Sequence, residues 1–575
     1  EFFKLAVPKF LYKLFISTPG DFMDKIVECV PNFSEGRDMK VIEEIVNVIK
    51  EVEDVYVLDV DPGEATNRTV VTFVGSPEGV KEAAFRAIKK AAELIDMRKH
   101  HGEHPRIGAT DVCPFVPVKG VTMEDCVKIA EEVGERVGRE LGIPVYLYEY
   151  AAKEDYRRNL ADIRAGEYEG LPKKLKDPKW KPDYGPDEWN ENIAKTGATV
   201  IGARDFLIAY NVDLNTKDKK LANKIARVIR ERGYKKKLED GTRVRVPGKL
   251  KYVKAIGWYI DEYQRAQISI NLTNFHETPL WKVFETSEEE AQKIGLRVTG
   301  SEIVGLVPLE AMLDTGRHFL RKMGKSDGIP ERDIVENAIL SLGLNDVAPF
   351  DPTEKIIEYK IEKMEQKKKL VDMNMKDFVD ELSRDSPAPG GGSVAALSGA
   401  LSGALVSMVA NLTYGKKKYK DVWEEMLDIA RKAQELKDRY VSLIDEDTDA
   451  FNLLMDAFSL PKKTEEEKKI REERIEEATK VAIEVPMKSL KLSKELLKLS
   501  KVLAEKGNQN ALSDAGVSAL TAYTSAYSAY LNVLINLAGL RDEEYKNRIK
   551  MEAENILREV EKEKEEILKA VLSKL

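Results

Sequence analysis

Cysteine is scarce in this chain: 575 residues hold three, Cys29, Cys113 and Cys126. They form neither a CxxC pair nor an even set, which excludes a disulfide framework and a cysteine zinc site and suits a reducing cytoplasm. Glutamine is also sparse, at six residues, and aromatics reach only 7%. Charged residues take their place at 33%, chiefly Lys and Glu, a balance familiar from thermophile surfaces. The formal net charge is −8, so no basic excess points to a nucleic-acid partner, although a local basic patch can still meet an anionic small molecule. Uninterrupted apolar runs are equally rare. Val394 to Leu412 runs 19 residues without a charge, close to bilayer length, but Ala, Ser and Gly dominate it instead of Leu and Phe. Gly399 and Gly403, spaced i and i+4, suit close helix contact, so the expectation is a fully buried central helix at a subunit interface and no membrane span. The length exceeds what a single growing core supports and predicts roughly two to four domains.

Of the five histidines, three gather in Lys99-His100-His101-Gly102-Glu103-His104-Pro105-Arg106. No apolar residue separates Lys99 from Pro105, so the segment faces solvent or a cleft. Imidazole takes and gives a proton near neutrality, and such a cluster points to acid/base work or to metal binding. His100 and His104 have the helical spacing of a zinc pair. Gly102 between them and Pro105 after them argue for a loop, which favours proton transfer. A solvated basic run without a role is the bland alternative.

From Val27 to about Arg204, short apolar runs (Val55 to Val60, Thr69 to Val74, Val145 to Tyr148) alternate with helical stretches (Pro77 to Ile95, Met123 to Leu141). The pattern predicts an α/β fold. A block from Phe206 to about Leu344 repeats the strand-then-helix order weakly, in Ile268 to Leu272 followed by Leu280 to Ile294. Two related subdomains would place a ligand in the cleft between them. Leu171 to Gly197 reads as irregular, either a linker wrapping the surface or a ligand wall in which Trp180, Tyr184 and Trp189 stack on a flat ring. Ile357 to Lys369 reads as a solvated linker helix, and beyond Asn374 nearly every pattern is helical, which predicts an all-α bundle.

Within that helical part, Asp445, Asp447 and Asp449 follow Leu443-Ile444. Helical geometry puts Asp445 and Asp449 on one face and Asp447 on the apolar stripe with Leu443, Ile444, Ala450, Phe451 and Leu454. A carboxyl there would be partly desolvated and hold its proton near neutrality, or be a structural aspartate satisfied by a neighbour. Pro389-Gly390-Gly391-Gly392-Ser393 enters the uncharged helix with Ser393 as expected N-cap, its amides free for an anionic or carbonyl group, or simply a tight turn. Asn510, Ser513 and Asp514 offer further polar groups, and Lys416 to Lys418 are either an anion contact or solvated.

Val27 to Gly36 (VECVPNFSEG), Asp59-Val60-Asp61, Thr66-Asn67-Arg68-Thr69 and the run HHGEHPRIGATDVCPFVPV from His100 resemble glutamate formiminotransferase. Ser386 to Ser393 (SPAPGGGS), Gly507-Asn508 and Ala511 to Asp514 (ALSD) resemble the cyclodeaminase half of the bifunctional formiminotransferase-cyclodeaminase family. The resemblance starts near Met23 and runs to the C-terminus in family order. It implies a multidomain chain: an N-terminal extension (1–22) outside the enzyme, two related α/β formiminotransferase subdomains (23–203 and 204–352), a linker (353–373) and an all-α helical cyclodeaminase bundle (374–575). The implied chemistry is transfer of the formimino group from N-formimino-L-glutamate to tetrahydrofolate, then deamination of 5-formiminotetrahydrofolate to 5,10-methenyltetrahydrofolate and ammonia. It implies His104 as proton relay, Asp61 as electrostatic partner, and Asp447 as the second catalytic group. Asn67, Arg68, Arg106 and Arg204 are substrate-binding candidates, the arginines as carboxylate clamps, with Gly185, Pro186, Gly197 and Ala198 bordering the folate. Gly390, Gly391, Gly392, Ser393, Asn510 and Asp514 would meet it in the bundle. A polyglutamylated tetrahydrofolate is the implied co-substrate, without metal or redox cofactor, and a ring-like homo-oligomer built from dimers the implied assembly. A methenyltetrahydrofolate cyclohydrolase or a non-catalytic assembly bundle is the alternative for the helical half, and a formyl analogue the alternative donor.

Overall fold

The computed structural model describes residues 25–575 except Ala65, Glu103, His104, Asp240, Gly241, Asp261, Glu262, 366–368 and Pro387. The N-terminal extension, 1–22, lies outside the described residues. The chain divides into two compact units, one holding the residues up to 311 together with 342–365, the other 312–341 with 366–575.

The first unit is built on two sheets. Strands β1 (Ile26–Cys29) and β2 (Asn32–Phe33) share one lane of a seven-stranded sheet, broken around Pro31. Proline offers no N–H to a ladder, which accounts for the break. On one side of this lane lie β4 (Arg68–Gly75) and, at the edge, its hairpin partner β3 (Val55–Gly63). On the other lie β5 (Thr110–Lys119), β7 (Thr199–Ala203) and β6 (Val145–Glu149), where pairing turns parallel. Helices α1 (Met39–Lys50), α2 (Pro77–Leu94) and α3 (Met123–Arg136) cover one face, where Phe73, Phe115, Ile45 and Ile88 form the core. Each helix starts on a sequence-encoded cap: Asp38, Ser76 followed by Pro77, and a Thr122–Asp125 capping box. On the opposite face, residues 160–196, including α4 (Glu167–Lys174), close a second cluster of Tyr146, Tyr148, Val112 and Val200.

The second sheet is antiparallel, in the order β11 (Val253–Ile260), β12 (Arg265–Leu272), β8 (Ile208–Leu214), β13 (Val298–Val304). It carries α5 (Lys219–Ile229), α6 (Leu280–Gln292) and an outlying ribbon of β9 (Tyr234–Lys237) and β10 (Arg243–Val246). The α/β expectation and the strand-helix repeat are thus met. Helix α7 (Leu309–Lys322) and α8 (Glu331–Leu342) follow.

The domain boundaries differ from the sequence reading in two places. The segment 312–341 clusters with the helical unit instead of closing a continuous 204–352 subdomain. Arg431 pairs with the buried Asp327 at 2.6 and 2.9 Å. A Cβ on Gly328 would stand 2.5 Å from Ala430 Cβ, so only glycine lets these backbones meet. The stretch expected as a solvated linker begins with α9 (Ile357–Glu365), which belongs to the first unit, because Ile356, Ile357 and Ile361 are buried and Ile357 N bonds to Val307 O at 3.1 Å. Periodicity in IEYKIEKM was masked by its charges.

The second unit is helical from residue 375 on. Its centre is α10 (Gly391–Thr413), followed by α11 (Trp423–Ser459), α12 (Glu465–Lys506), α13 (Leu512–Leu537) and α14 (Glu543–Leu572). Tyr440 of α11 lies against Gly399, where any Cβ would stand 2.2 Å from the ring, and its hydroxyl donates to Ser489 O at 2.6 Å. By length and composition α10 is apolar enough to cross a membrane, but its small-residue side packs inside the bundle. Within the single chain it is not fully buried. Leu401, Met408 and Leu412 are exposed, as are Leu520, Leu531 and Ile535 of α13.

Candidate active sites

The histidine loop is held at the β3–β4 hairpin. Asn67 has a left-handed backbone (φ 46°) and a fully employed side chain: its Oδ1 accepts from Gly36 N at 3.0 Å and its Nδ2 donates to His101 O at 3.0 Å. A Cβ on Gly102 would stand 2.1 Å from Thr66 O, so the close approach of loop and hairpin requires glycine. His100 is buried; its Nε2 lies 2.7 Å from the Asn67 carbonyl and its Nδ1 accepts from Arg106 Nε at 3.3 Å. A carbonyl only accepts, which assigns the neutral Nε2–H tautomer, and burial depresses the pKa of this imidazole. Asn67 and His100 therefore position the loop, where the sequence reading had Asn67 as a ligand contact. His101 is exposed and lines an open cavity of about 420 Å³ with Gly102, Arg106 and Glu169. His104 lies outside the described residues.

The three arginine clamps separate. Arg106 is spent on Glu167 (2.9 Å) and Glu169 (2.6 Å) of α4, because Tyr168 N bonds to Arg106 O at 2.9 Å and sets the two strands of backbone side by side. It is not an open carboxylate clamp. Arg68 donates to Asn32 Oδ1 at 2.8 Å; burial lowers its pKa, Arg164 adds to this, and Asp111 and Asp61 oppose it. Asp61, opposite Val70 on β3, thus shares this field and is exposed. Arg204, just after β7, lines a second cavity of about 610 Å³ between the two sheets, together with Glu28, Asp59, Thr72, Phe206 and Lys355.

The expected folate-border residues sit at strand ends around β6 and β7. Gly185 (φ 83°) and Gly197 (φ 68°) both let backbones touch: a Cβ would stand 2.3 Å from Ile143 O in one and 2.3 Å from Ile107 O in the other. Pro186 is half-buried and Ala198 is buried with Tyr146 and Val200. The aromatic wall does not form. Trp180 packs on the Tyr146 cluster, Tyr184 on the core of the opposite sheet face, and Trp189 is exposed near Tyr168.

In the helical unit, Asp447 meets the glycine turn. Its Oδ2 accepts from Ser393 Oγ at 3.1 Å, and a Cβ on Gly392 would stand 1.9 Å from its Oδ1. Burial raises the pKa of Asp447, and the Ser393 bonds offset this in part. Ser393 is not the N-cap; Gly390 is, and Ser393 sits buried in the first turn with its hydroxyl also 3.3 Å from Ile444 O. Glycine at 392 is what lets α11 bring its carboxylate to this helix end. Asn510 and Asp514 are not brought there. Asn508 N bonds to Thr413 Oγ1 at 2.9 Å, which fixes this segment at the far end of α10, about 30 Å away at 1.5 Å per residue.

Two residues went unnoticed in the sequence. Glu28 is 4% exposed in the apolar strand IVEC, and burial pushes its carboxyl up to about 7 against the pull of Arg204. The charge inside a short buried strand was the available signal. Asn532 of α13 holds its Nδ2 3.1 Å from where a Gly391 Cβ would be, and nothing in its helical spacing marked it.

Comparison with known proteins finds three domain matches in chain order, the second of which runs through 312–341. The formiminotransferase domain, N-terminal subdomain, matches residues 26–204, the formiminotransferase domain 209–362, and formiminotransferase-cyclodeaminase 374–555. The chain is 44% identical over 538 residues to mouse formimidoyltransferase-cyclodeaminase, covering 93% of this chain and 97% of that one. It is 44% identical to glutamate formimidoyltransferase of Streptococcus pyogenes (55% of this chain, 100% of that one). It is 43% identical to methenyltetrahydrofolate cyclohydrolase of Methylorubrum extorquens (34% of this chain, 95% of that one). With two α/β subdomains, a helical bundle and near full-length coverage, the chain belongs to the bifunctional formimidoyltransferase-cyclodeaminase family.

Proposed function

We propose that the chain transfers the formimino group of N-formimino-L-glutamate to N5 of tetrahydrofolate and then closes the product to 5,10-methenyltetrahydrofolate with loss of ammonia. In the first step N5 attacks the formimino carbon, His104 takes the N5 proton and returns it to the departing glutamate nitrogen. Asp61 steadies the imidazolium between the two transfers. In the second, N10 attacks the same carbon and ammonia leaves once its nitrogen is protonated, with Asp447 supplying the proton. Asp447 carries the reading: a carboxyl whose pKa burial raises, bonded to Ser393 at a glycine-lined helix end, is suited to give a proton to the departing nitrogen. Neither step needs a metal or redox cofactor. A polyglutamate tail would keep the folate tethered while its pterin moves between sites.

The reading extends to a cytoplasmic, ring-like homo-oligomer built from dimers. The exposed Leu401, Met408, Leu412, Leu520, Leu531 and Ile535 support a bundle-to-bundle contact. The identity of the helical half to a methenyltetrahydrofolate cyclohydrolase favours one second reading, hydrolysis of methenyltetrahydrofolate there. Supplying the full chain with 5-formiminotetrahydrofolate tests the choice. Ammonia release supports the deaminase; no ammonia from that substrate, with hydrolysis of methenyltetrahydrofolate when it is supplied in a separate reaction, supports the cyclohydrolase; neither leaves the bundle as an assembly element.

A further inference from the structure

The net charge of −8 conceals a local excess of the opposite sign: residues 227–254 hold eleven Lys and Arg against three acidic residues. At their centre is the ribbon of β9 and β10, whose register sets Lys237 opposite Arg243 and Lys235 opposite Arg245. Opposite residues share a face, and so do residues two apart on one strand, so these four cations stand together on one face of the ribbon. All four are exposed. Like charges directly opposite weaken a ladder, and on this face both cross-strand pairs repel. Arginines continue the charge at the base. Arg245 donates to Arg232 O at 3.3 Å, and burial, then the charges of Arg227, Arg232 and Arg245, lower the pKa of Arg230. Among the described residues no carboxylate pairs with the ribbon cations or these arginines; the ion pairs of Lys249, with Glu290 at 2.6 Å and Glu289 at 3.9 Å, lie beyond the ribbon. The base is nonetheless firmly held. Glu231 N bonds to Val253 O and Lys249 N to Val228 O, both at 2.9 Å. A Cβ on Gly233 would stand 1.8 Å from Val246 O and one on Gly248 1.8 Å from Arg230 O, so glycine lets the ribbon close on the end of α5.

A fixed face of mutually repelling cations calls for a partner that brings dense negative charge. We propose that the β9–β10 ribbon is a nucleic-acid-binding surface, with Lys235, Lys237, Arg243 and Arg245 contacting the phosphate backbone and reading no base sequence. Neither reaction step above uses it. An exposed ribbon has no walls, so a short carboxylate tail or an acidic protein patch gains only the small worth of open surface ion pairs. A nucleic acid gains more, because each phosphate neutralised frees condensed counterions. The spacing also suits it: cations two residues apart on a strand lie about 6.8 Å apart, twice the charge spacing of about 3.4 Å along one DNA strand. Glu239 in the turn repels phosphate, which leaves the face, and not the tip, as the contact.

Fluorescence anisotropy of the full chain with a duplex DNA of about 20 base pairs, at about 50 to 200 mM salt, tests this. With four phosphates neutralised, log K should fall against log salt with a slope of about −3.6, and for single-stranded RNA of equal length about −2.8. Lys237→Gln combined with Arg243→Gln should bring the duplex slope to about −1.8 and, since it removes a repelling pair, should not lower the melting temperature. Lys562→Gln combined with Lys569→Gln on α14 makes the same change of net charge elsewhere and should leave the slope as in wild type. Neither double variant should alter glutamate or ammonia release. If the Lys237/Arg243 variant fails to fold, Lys235→Gln combined with Arg245→Gln carries the same expectation. No duplex binding at about 50 mM salt by about 100 μM protein, or a slope that both ribbon variants leave unchanged, would overturn the proposal. So would penta-γ-glutamate or phosphatidylserine vesicles bound through these residues as tightly as the duplex.

Discussion

Gly392→Ala isolates the contact on which the second site depends. The added Cβ would stand 1.9 Å from Asp447 Oδ1, 2.4 Å from its Cγ and 2.6 Å from Oδ2, where real Cβ atoms essentially never come below 3.0 Å. The carboxylate must therefore retreat by about 1.1 Å, and the 3.1 Å bond from Ser393 breaks or lengthens with it. Misplacing a reacting group by about 1 Å costs about 100-fold in rate, and loss of a hydrogen bond to a charged group about 1.5–3 kcal/mol. Ammonia release from 5-formiminotetrahydrofolate should fall at least about 100-fold, while glutamate release, read on the same preparation, stays at the wild-type rate. A variant that keeps ammonia release within about 3-fold would show that Asp447 does not act from the position the glycine turn holds it in.

Three further outcomes follow from the same geometry. Ammonia release should fall as pH rises through the Asp447 pKa, since the protonated form is the donor; Ser393→Ala removes a bond that favours the carboxylate, so its falling limb should move to higher pH, and a move to lower pH would contradict this. Gly102→Ala forces a Cβ to 2.1 Å from Thr66 O and should cut glutamate release about 100-fold by displacing the histidine loop, with ammonia release from supplied 5-formiminotetrahydrofolate intact. Arg431→Ala leaves the buried Asp327 with Arg321 at 3.2 Å as its remaining partner, and should destabilise the helical unit by about 3 kcal/mol and speed amide exchange in 312–341; unchanged exchange there would refute the tie.

What was legible in the sequence follows the physics of each signal. Short apolar runs and helical stretches placed β4, α2 and α3, because these signals are local, as are the caps Ser76 and Thr122 that start the two helices in the structure. The stripe argument put Asp447 against apolar neighbours because a helix fixes angular position from spacing alone. Long-range contacts were not legible. Nothing near Arg106 announced that Glu167 and Glu169, some sixty residues on, would occupy it. Nothing near Asn510 showed that it lies at the opposite end of α10 from Asp447. The linker reading of 357–369 contains the division between the two units, after 365, but missed the burial of Ile357 and Ile361 because charge count outweighed their spacing. Asn67 misled for another reason: a polar residue in a motif can serve its own backbone, and here its φ of 46° and two backbone partners absorb it.

The most direct test gives the full chain N-formimino-L-glutamate and tetrahydrofolate and follows glutamate, ammonia and methenyltetrahydrofolate together in wild type, His104→Ala and Asp447→Asn. His104→Ala should lose all three signals and regain ammonia release when 5-formiminotetrahydrofolate is supplied; Asp447→Asn should release glutamate and stall there. Ammonia released by Asp447→Asn at the wild-type rate would contradict the two-site assignment.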